Sequence, residues 1–140
     1  MVQLRMKQAG FSLVEILVAL AIIGVMMGGA LGLLSQVKKA KRTSTEANIR
    51  AAKTAIEQYY EDTDVYPASL KDLVDRPADS RVSAKWKGPY MDKEMVNDPF
   101  KSEYQYSVNP KGSKPPYELY SYGPNKEGAP EEEWIQAKNL

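Results

Sequence analysis

Glu15 is the residue whose position asks for chemistry. It closes the stretch Gly10-Phe11-Ser12-Leu13-Val14-Glu15, and from Phe11 to Leu34 only Ser12 and Glu15 are polar. A carboxylate inside a membrane-spanning helix costs roughly 2.5–3.5 kcal/mol on insertion scales, so it calls for a partner. No Lys, Arg or His lies between Lys7 and Lys38 to provide one. Hydrolysis of the Gly10–Phe11 peptide bond would create a cation, the α-ammonium of Phe11, at the same membrane depth. On one helix the two charges would sit four residues apart. The Phe11 ammonium of a neighbouring chain could equally meet Glu15, which would make the charge an assembly device. The alternative is a Glu15 lying shallow in the headgroup region with no such role.

Other chemistry finds little support. The chain has no cysteine and no histidine, which removes the thiol nucleophile, the disulfide and the commonest general base. Only carboxylates remain for a membrane-anchored hydrolase. Asp72, Asp75, Glu118 and Glu131–Glu133 show no spacing that implies a catalytic pair. The formal net charge is +1, and loss of Met1–Gly10 removes Arg5 and Lys7 and lowers it by two. No nucleic-acid partner is expected from that balance.

The elements that place Glu15 follow. Phe11–Leu34 is 24 residues, about 36 Å as a helix against about 30 Å of bilayer hydrocarbon. The short basic leader before it suits a cytoplasmic end. However, Lys38, Lys39, Lys41 and Arg42 after the span outnumber the leader's charges, and charge counting alone would leave the C-terminal domain in the cytoplasm. The cluster reads as headgroup contact, inter-subunit contact or a solvated face. An ordinary secretory signal cut near Gly28-Gly29-Ala30 is a competing account, but its apolar core would be too long and would contain Glu15. Gly24, Gly28 and Gly32 recur every four residues, a spacing that lets helices pack closely and makes them easier to unwind. Simple tolerance of glycine in spanning helices explains them as well.

No Pro or Gly interrupts Ser35–Asp62, and Ile49, Ala52, Ile56, Tyr59 and Tyr60 make one apolar stripe. One helix from about Phe11 to Asp62, near 78 Å long, is predicted. Glu46 is placed to pair with Arg50 or Lys53. Asp64-Val65-Tyr66-Pro67 ends the helix. Ser69-Leu70-Lys71-Asp72 opens a short second one with Leu70, Leu73 and Val74 inward. Residues 78–87 read as a loop, and Trp86-Lys87-Gly88-Pro89-Tyr90 packs it back on the long helix. Tyr104–Val108 and Tyr117–Tyr122 form a hairpin across the loop Asn109–Pro116, with Val108 and Leu119 facing the helix. Trp134 and Ile135 add a last strand or plug the sheet edge.

A basic leader, then Gly10-Phe11-Ser12-Leu13-Val14-Glu15, then an unbroken apolar helix resembles the class III signal of type IV pilins and pseudopilins. The resemblance implies cleavage at Gly10–Phe11 by a prepilin peptidase, N-methylation of Phe11, and subunit docking through Phe11 and Glu15. Further on, Tyr66-Pro67, Trp86-Lys87-Gly88-Pro89-Tyr90, Asp98-Pro99-Phe100 and Tyr117-Glu118-Leu119-Tyr120-Ser121-Tyr122-Gly123 are similar to G-type major pseudopilins of type II secretion. That family implies an α+β fold: a long N-terminal helix, transmembrane in its first half, packed against a small antiparallel β-sheet. The expected divisions are a leader 1–10, a transmembrane or filament-core helix 11–34, the periplasmic half of the helix 35–64, and a C-terminal domain 65–140. The implied function is a non-catalytic subunit, anchored in the bacterial inner membrane with its domain in the periplasm, that polymerises into a pseudopilus. The implied partners are copies of itself, minor pseudopilins, the peptidase, and an inner-membrane platform with its ATPase. A type IV pilin of a surface fibre is the alternative. G-type relatives typically bind calcium in an Asp-rich C-terminal loop, but no aspartate follows Asp98 here. Only Asn125 and Glu127, with Glu131–Glu133 beyond, offer side-chain oxygens, a poor set for a cation that wants 6–8. Lys126 or packing by Trp134 is expected to hold that loop instead.

Overall fold

The structure, a computed structural model, describes residues 11–140; Gly10 and the leader lie outside the described residues. One helix, α1, runs from Leu13 to Thr63, within two residues of the expected span. The chain divides into one unit ending at Val37 and a second spanning Lys38–Leu140.

In the first unit the apolar side chains stand in the open. Leu13 is 73% exposed and Leu33 65%. The helix is long and apolar enough to cross a membrane. Gly24, Gly28 and Gly32 have nothing within 4 Å of where a Cβ would sit. Nothing within the described chain therefore requires glycine at these positions.

In the second unit α1 carries a buried stripe. Thr45, Ile49, Ala52, Ile56, Tyr59 and Thr63 all lie inside, at the three- and four-residue steps of one helix face. Tyr60 does not join them; it is 43% exposed because its position turns it away from that face. The helix stops at Asp64, whose φ of 62° is left-handed. The Asp64 N–H still donates to the Tyr60 carbonyl at 2.8 Å, so the last turn is closed in the manner of a C-cap.

Leu70–Leu73 forms one 3-10 turn, with Leu73 fully buried. The Asp72 carboxylate accepts from the N–H groups of Ala68 and Ser69 at 3.0 and 3.1 Å, which fixes its start. The expected loop 78–87 is instead interrupted by a short helix, α2 (Ser80–Lys85). Asp79 caps it, accepting from the Arg81 N–H at 2.9 Å. The capping signal outweighed the polar composition that suggested a loop. Beyond it, Trp86 and Tyr90 meet edge to face at 5.8 Å, and Tyr90 meets Tyr59 of α1 at 5.6 Å. Gly88 lies between those rings, and a Cβ there would fall 2.5 Å from Trp86, so only glycine fits.

The sheet contains β1 (Gln105–Val108), β2 (Tyr117–Ser121) and β3 (Ile135–Gln136), in that order and antiparallel throughout. Gln105 faces Tyr120 and Val108 faces Tyr117; Ser121 faces Ile135. Leu119 and Ile135 are buried against the α1 stripe with Leu73 and Met91. Val108, expected to face the helix, is 46% exposed. It ends the strand at the mouth of the hairpin, past the reach of the core. Glu46 also departs from expectation: it pairs with Arg42 at 3.2 Å, one turn back along the helix.

Candidate functional site

The N-terminus of α1 is closed by Glu15 itself. Its Oε2 accepts from the Ser12 N–H at 2.9 Å, and the Ser12 Oγ accepts from the Val14 N–H at 3.4 Å. Ser12 and Glu15 thus form a capping box, each side chain satisfying a helix N–H that would otherwise lack an acceptor. The carboxylate also sits at the positive end of the helix dipole. The Ser-x-x-Glu spacing is the signal in the sequence that finds this role, which the expectations for Glu15 missed. Phe11, directly before the box, is 84% exposed, and the Glu15 carboxylate lies one residue beyond it in hydrogen-bond contact with Ser12. The structure therefore brings the charge of Glu15 close to the backbone that carries Phe11.

At the other end of the chain, Asn125 and Glu127 do not build a metal cage. The Asn125 amide donates to Glu133. Glu131 accepts from Gln136 at 3.2 Å and from the Lys138 ammonium at 3.1 Å. These contacts hold the Glu131 carboxyl below the usual range. Among the described residues no group of three or more Asp, Glu, His or Cys side chains is placed to hold a metal. A carboxylate already neutralised by lysine and another bound to an amide do not fit calcium, which wants several free oxygens around one point. The loop is held by Trp134. Its ring stacks on Tyr120 at 4.6 Å and meets Tyr122 edge-on at 5.2 Å, while its Nε1 donates to the Ala129 carbonyl at 2.9 Å.

A third cluster lies inside the second unit and was not foreseen. Asp98 is buried and accepts from the Thr45 hydroxyl on α1 at 3.1 Å, from the Ser121 hydroxyl on β2, and from the Phe100 N–H at 3.0 Å. The Gly123 N–H in turn donates to Ser121 Oγ at 2.9 Å. The neighbouring Tyr104 hydroxyl is buried beside Asn48 and Thr45 without a well-formed bond. This is a joint between helix, loop and strand. It has no open face for a substrate, and its donors all belong to the chain.

Comparison with known proteins decides the family. The model of type II secretion system (T2SS) protein G matches residues 32–138, and the prokaryotic N-terminal methylation motif matches residues 5–31. The chain belongs to the protein G family of type II secretion. It is 33% identical over 129 residues to type II secretion system core protein G of Pseudomonas aeruginosa, covering 89% of each chain. It is 32% identical over 131 residues to the core protein G of Escherichia coli strain K12, covering 91% of this chain and 89% of that one. Its fold is that of the major pseudopilin from the type 2 secretion system of enterohaemorrhagic Escherichia coli, with a TM-score of 0.58 and 22% identity over 77% of this chain and 95% of that chain. The α+β expectation, a long helix with a small antiparallel sheet, is therefore met, and the apolar start of α1 in this protein G relative is consistent with membrane anchoring.

Proposed function

We propose that this chain is cut between Gly10 and Phe11, methylated on the Phe11 nitrogen, and polymerised into a periplasmic pseudopilus that drives export of folded proteins. The observation that carries this reading is the exposure of apolar side chains at Phe11, along α1 from Leu13 to Met27, and at Leu33 and Leu34. Such a surface needs lipid or other helices around it. In the membrane lipid covers it, and in the filament the same segments of neighbouring copies do. The family assignment and the methylation-motif match support the same sequence of events.

Glu15 then has two states. Before the cut its carboxylate caps α1 through Ser12. After the cut the Phe11 ammonium appears next to it, and pairing with the ammonium of an adjoining copy sets the register of assembly. The expected filament-core segment is 11–34, the periplasmic part of the helix is 35–64, and the domain 65–140 faces outward. Gly24, Gly28 and Gly32 allow close helix approach in the core. The partners are other copies, minor pseudopilins, the prepilin peptidase, and an assembly platform with its ATPase in the inner membrane. The chain contributes surfaces and no catalysis.

Mass spectrometry of the chain from its own membranes, with electron microscopy of sheared cells, tests this. A mature chain beginning at methylated Phe11 and present in thin filaments is expected. A chain that keeps residues 1–10, or that stays monomeric, overturns the reading. Long fibres on the cell surface would instead indicate a type IV pilin.

A further inference from the structure

An aromatic cleft of about 560 Å³ opens between α1 and the strands β2 and β3. Its walls carry Tyr60, Tyr66, Tyr117, Tyr120 and Trp134. That volume is in the range of ligand-sized sites, and nothing in the mechanism above uses it. Its charges are unequal in availability. Both of its lysines are engaged within the chain: Lys138 pairs with Glu131 at 3.1 Å, and Lys53 donates to the Ala137 carbonyl at 3.4 Å. Glu57, Glu61 and Glu118 are exposed and make no ion pair among the described residues. The cleft therefore presents tyrosine and tryptophan surface together with three free carboxylates, a chemistry that suits lysine and arginine side chains through ion pairs and ring faces.

The same chain carries the complement. Lys38 and Lys39 are exposed, and with Lys41 they make no ion pair among the described residues. Their own cleft is out of reach. Lys38 and Glu57 lie 19 residues apart on one helix, as do Arg42 and Glu61, which is about 28 Å along its axis. A lysine side chain spans far less than that, so the basic segment can meet such a cleft only on another molecule.

We propose that the cleft of one copy receives the Lys38–Arg42 segment of a second copy, displaced along a parallel helix by about 28 Å. Two different patches of one chain then join head to tail. A contact of that kind does not close on itself and repeats without limit along a filament. The proposal rests on the filament reading above and adds to it a defined contact. It also accounts for four basic residues on a side of the membrane where they are otherwise disfavoured.

The test uses the full-length chain in its native membranes. Because the chain has no cysteine, Lys38→Cys with Glu57→Cys, the pair that a displacement of about 28 Å brings level, introduces the sole thiols. On mild oxidation the double variant is expected to give a ladder of disulfide-linked multimers, and each single variant none above the dimer. Filaments are scored by microscopy in the same samples. Filaments without a ladder overturn the contact and leave the functional reading standing, whereas absence of filaments from the wild-type chain overturns both. A charge exchange provides the second readout. Lys38→Glu with Lys39→Glu is expected to lower filament yield about tenfold or more, since like charges brought together cost several kcal/mol. Adding Glu57→Lys and Glu61→Lys is expected to restore it. If the lysine reversals leave filament yield unchanged and only weaken retention on vesicles containing anionic phospholipid, the lysines serve lipid headgroups and the proposal fails.

Discussion

The Thr45 hydroxyl donates to the carboxylate of Asp98 at 3.1 Å, across 53 positions of sequence. Both residues are buried, and Ser121 of the middle strand joins them at the same carboxylate. One acid thus ties α1 to the sheet. Asp98→Ala leaves two hydroxyls and the Phe100 N–H without their acceptor. A loss of about 3 kcal/mol is expected, because hydrogen bonds to charged groups and stranded buried donors each count in that range. Thermal unfolding of the detergent-solubilised chain measures it, and a midpoint unchanged within error argues against the joint. Asp98→Asn, which keeps an acceptor oxygen, is expected to lose less.

The capping bond of Glu15 and its proposed charge pairing are separated by one variant. Glutamine can serve in a capping box as glutamate does, so Glu15→Gln keeps the bond to Ser12 and removes only the charge. Cleavage at Gly10–Phe11 is expected to be normal and filament yield to fall at least about tenfold, which corresponds to roughly 1.4 kcal/mol. Immunoblotting for processing and microscopy for filaments read the two outcomes. Wild-type filament yield from Glu15→Gln would mean that capping is the residue's whole contribution.

Gly28→Ala meets open space in the isolated chain and gains helix propensity of about 1 kcal/mol. The monomer is expected to be unharmed or slightly stabilised in detergent. Filaments are expected to be fewer or shorter, because the added methyl keeps neighbouring helices apart. The same result is expected at Gly24 and Gly32. Normal filaments from the triple alanine variant would reduce these glycines to neutral passengers.

The pH limits of the domain come from two kinds of group. The hydrogen bond from Lys87 holds the Asp62 carboxyl below its ordinary 3.8, and Asp62 in return raises Lys87. Asp62 therefore adds stability that is present above pH 3.8 and fades as the pH falls through its lower folded value. Burial pushes the Tyr59, Tyr117 and Tyr120 hydroxyls up to about 12 from 10. Their folded forms hold the proton longer than the unfolded chain does, so stability is lost as pH rises from 10 to 12. Denaturant titrations across both limits are expected to show a plateau between them. Lys87→Met is expected to raise the acid limit and leave the alkaline side governed by the tyrosines.

Calcium is expected to leave the chain unaffected. Isothermal titration at micromolar calcium should give no binding heat, and melting should be the same with calcium or chelator. Trp134→Ala is expected to loosen residues 123–134, seen as faster amide exchange there. A calcium-dependent rise in melting temperature would show that the loop rearranges to free its carboxylates.

Much of the architecture was legible because it rests on local rules. The apolar run, the stripe through Ile49, Ala52, Ile56 and Tyr59, the proline stop at Pro67 and the alternation in β2 each point to one structure. Val108 and Tyr60 were misjudged because periodicity gives a face but not where the core ends. The Asp79 cap was readable in principle and was outweighed by the polar residues around it. Asp98 was not readable at all. Its partners Thr45 and Ser121 are distant in sequence, and Asp-Pro alone signals a turn. At the candidate site, Glu15 was conspicuous by contrast with its surroundings, whereas its bond to Ser12 rests on a three-residue spacing hidden in the same motif. The cleft joins α1 with residues 115–120 and 131–138, which are distant from it in sequence.

The bare flank of α1 has a thermodynamic corollary. On the proposed filament reading, a subunit moving from bilayer to fibre would trade one greasy medium for another, so its oily surface would give little net drive in either direction. Growth of such a fibre would then have to be powered from outside, and a stalled one could dissolve back into the lipid from which it came.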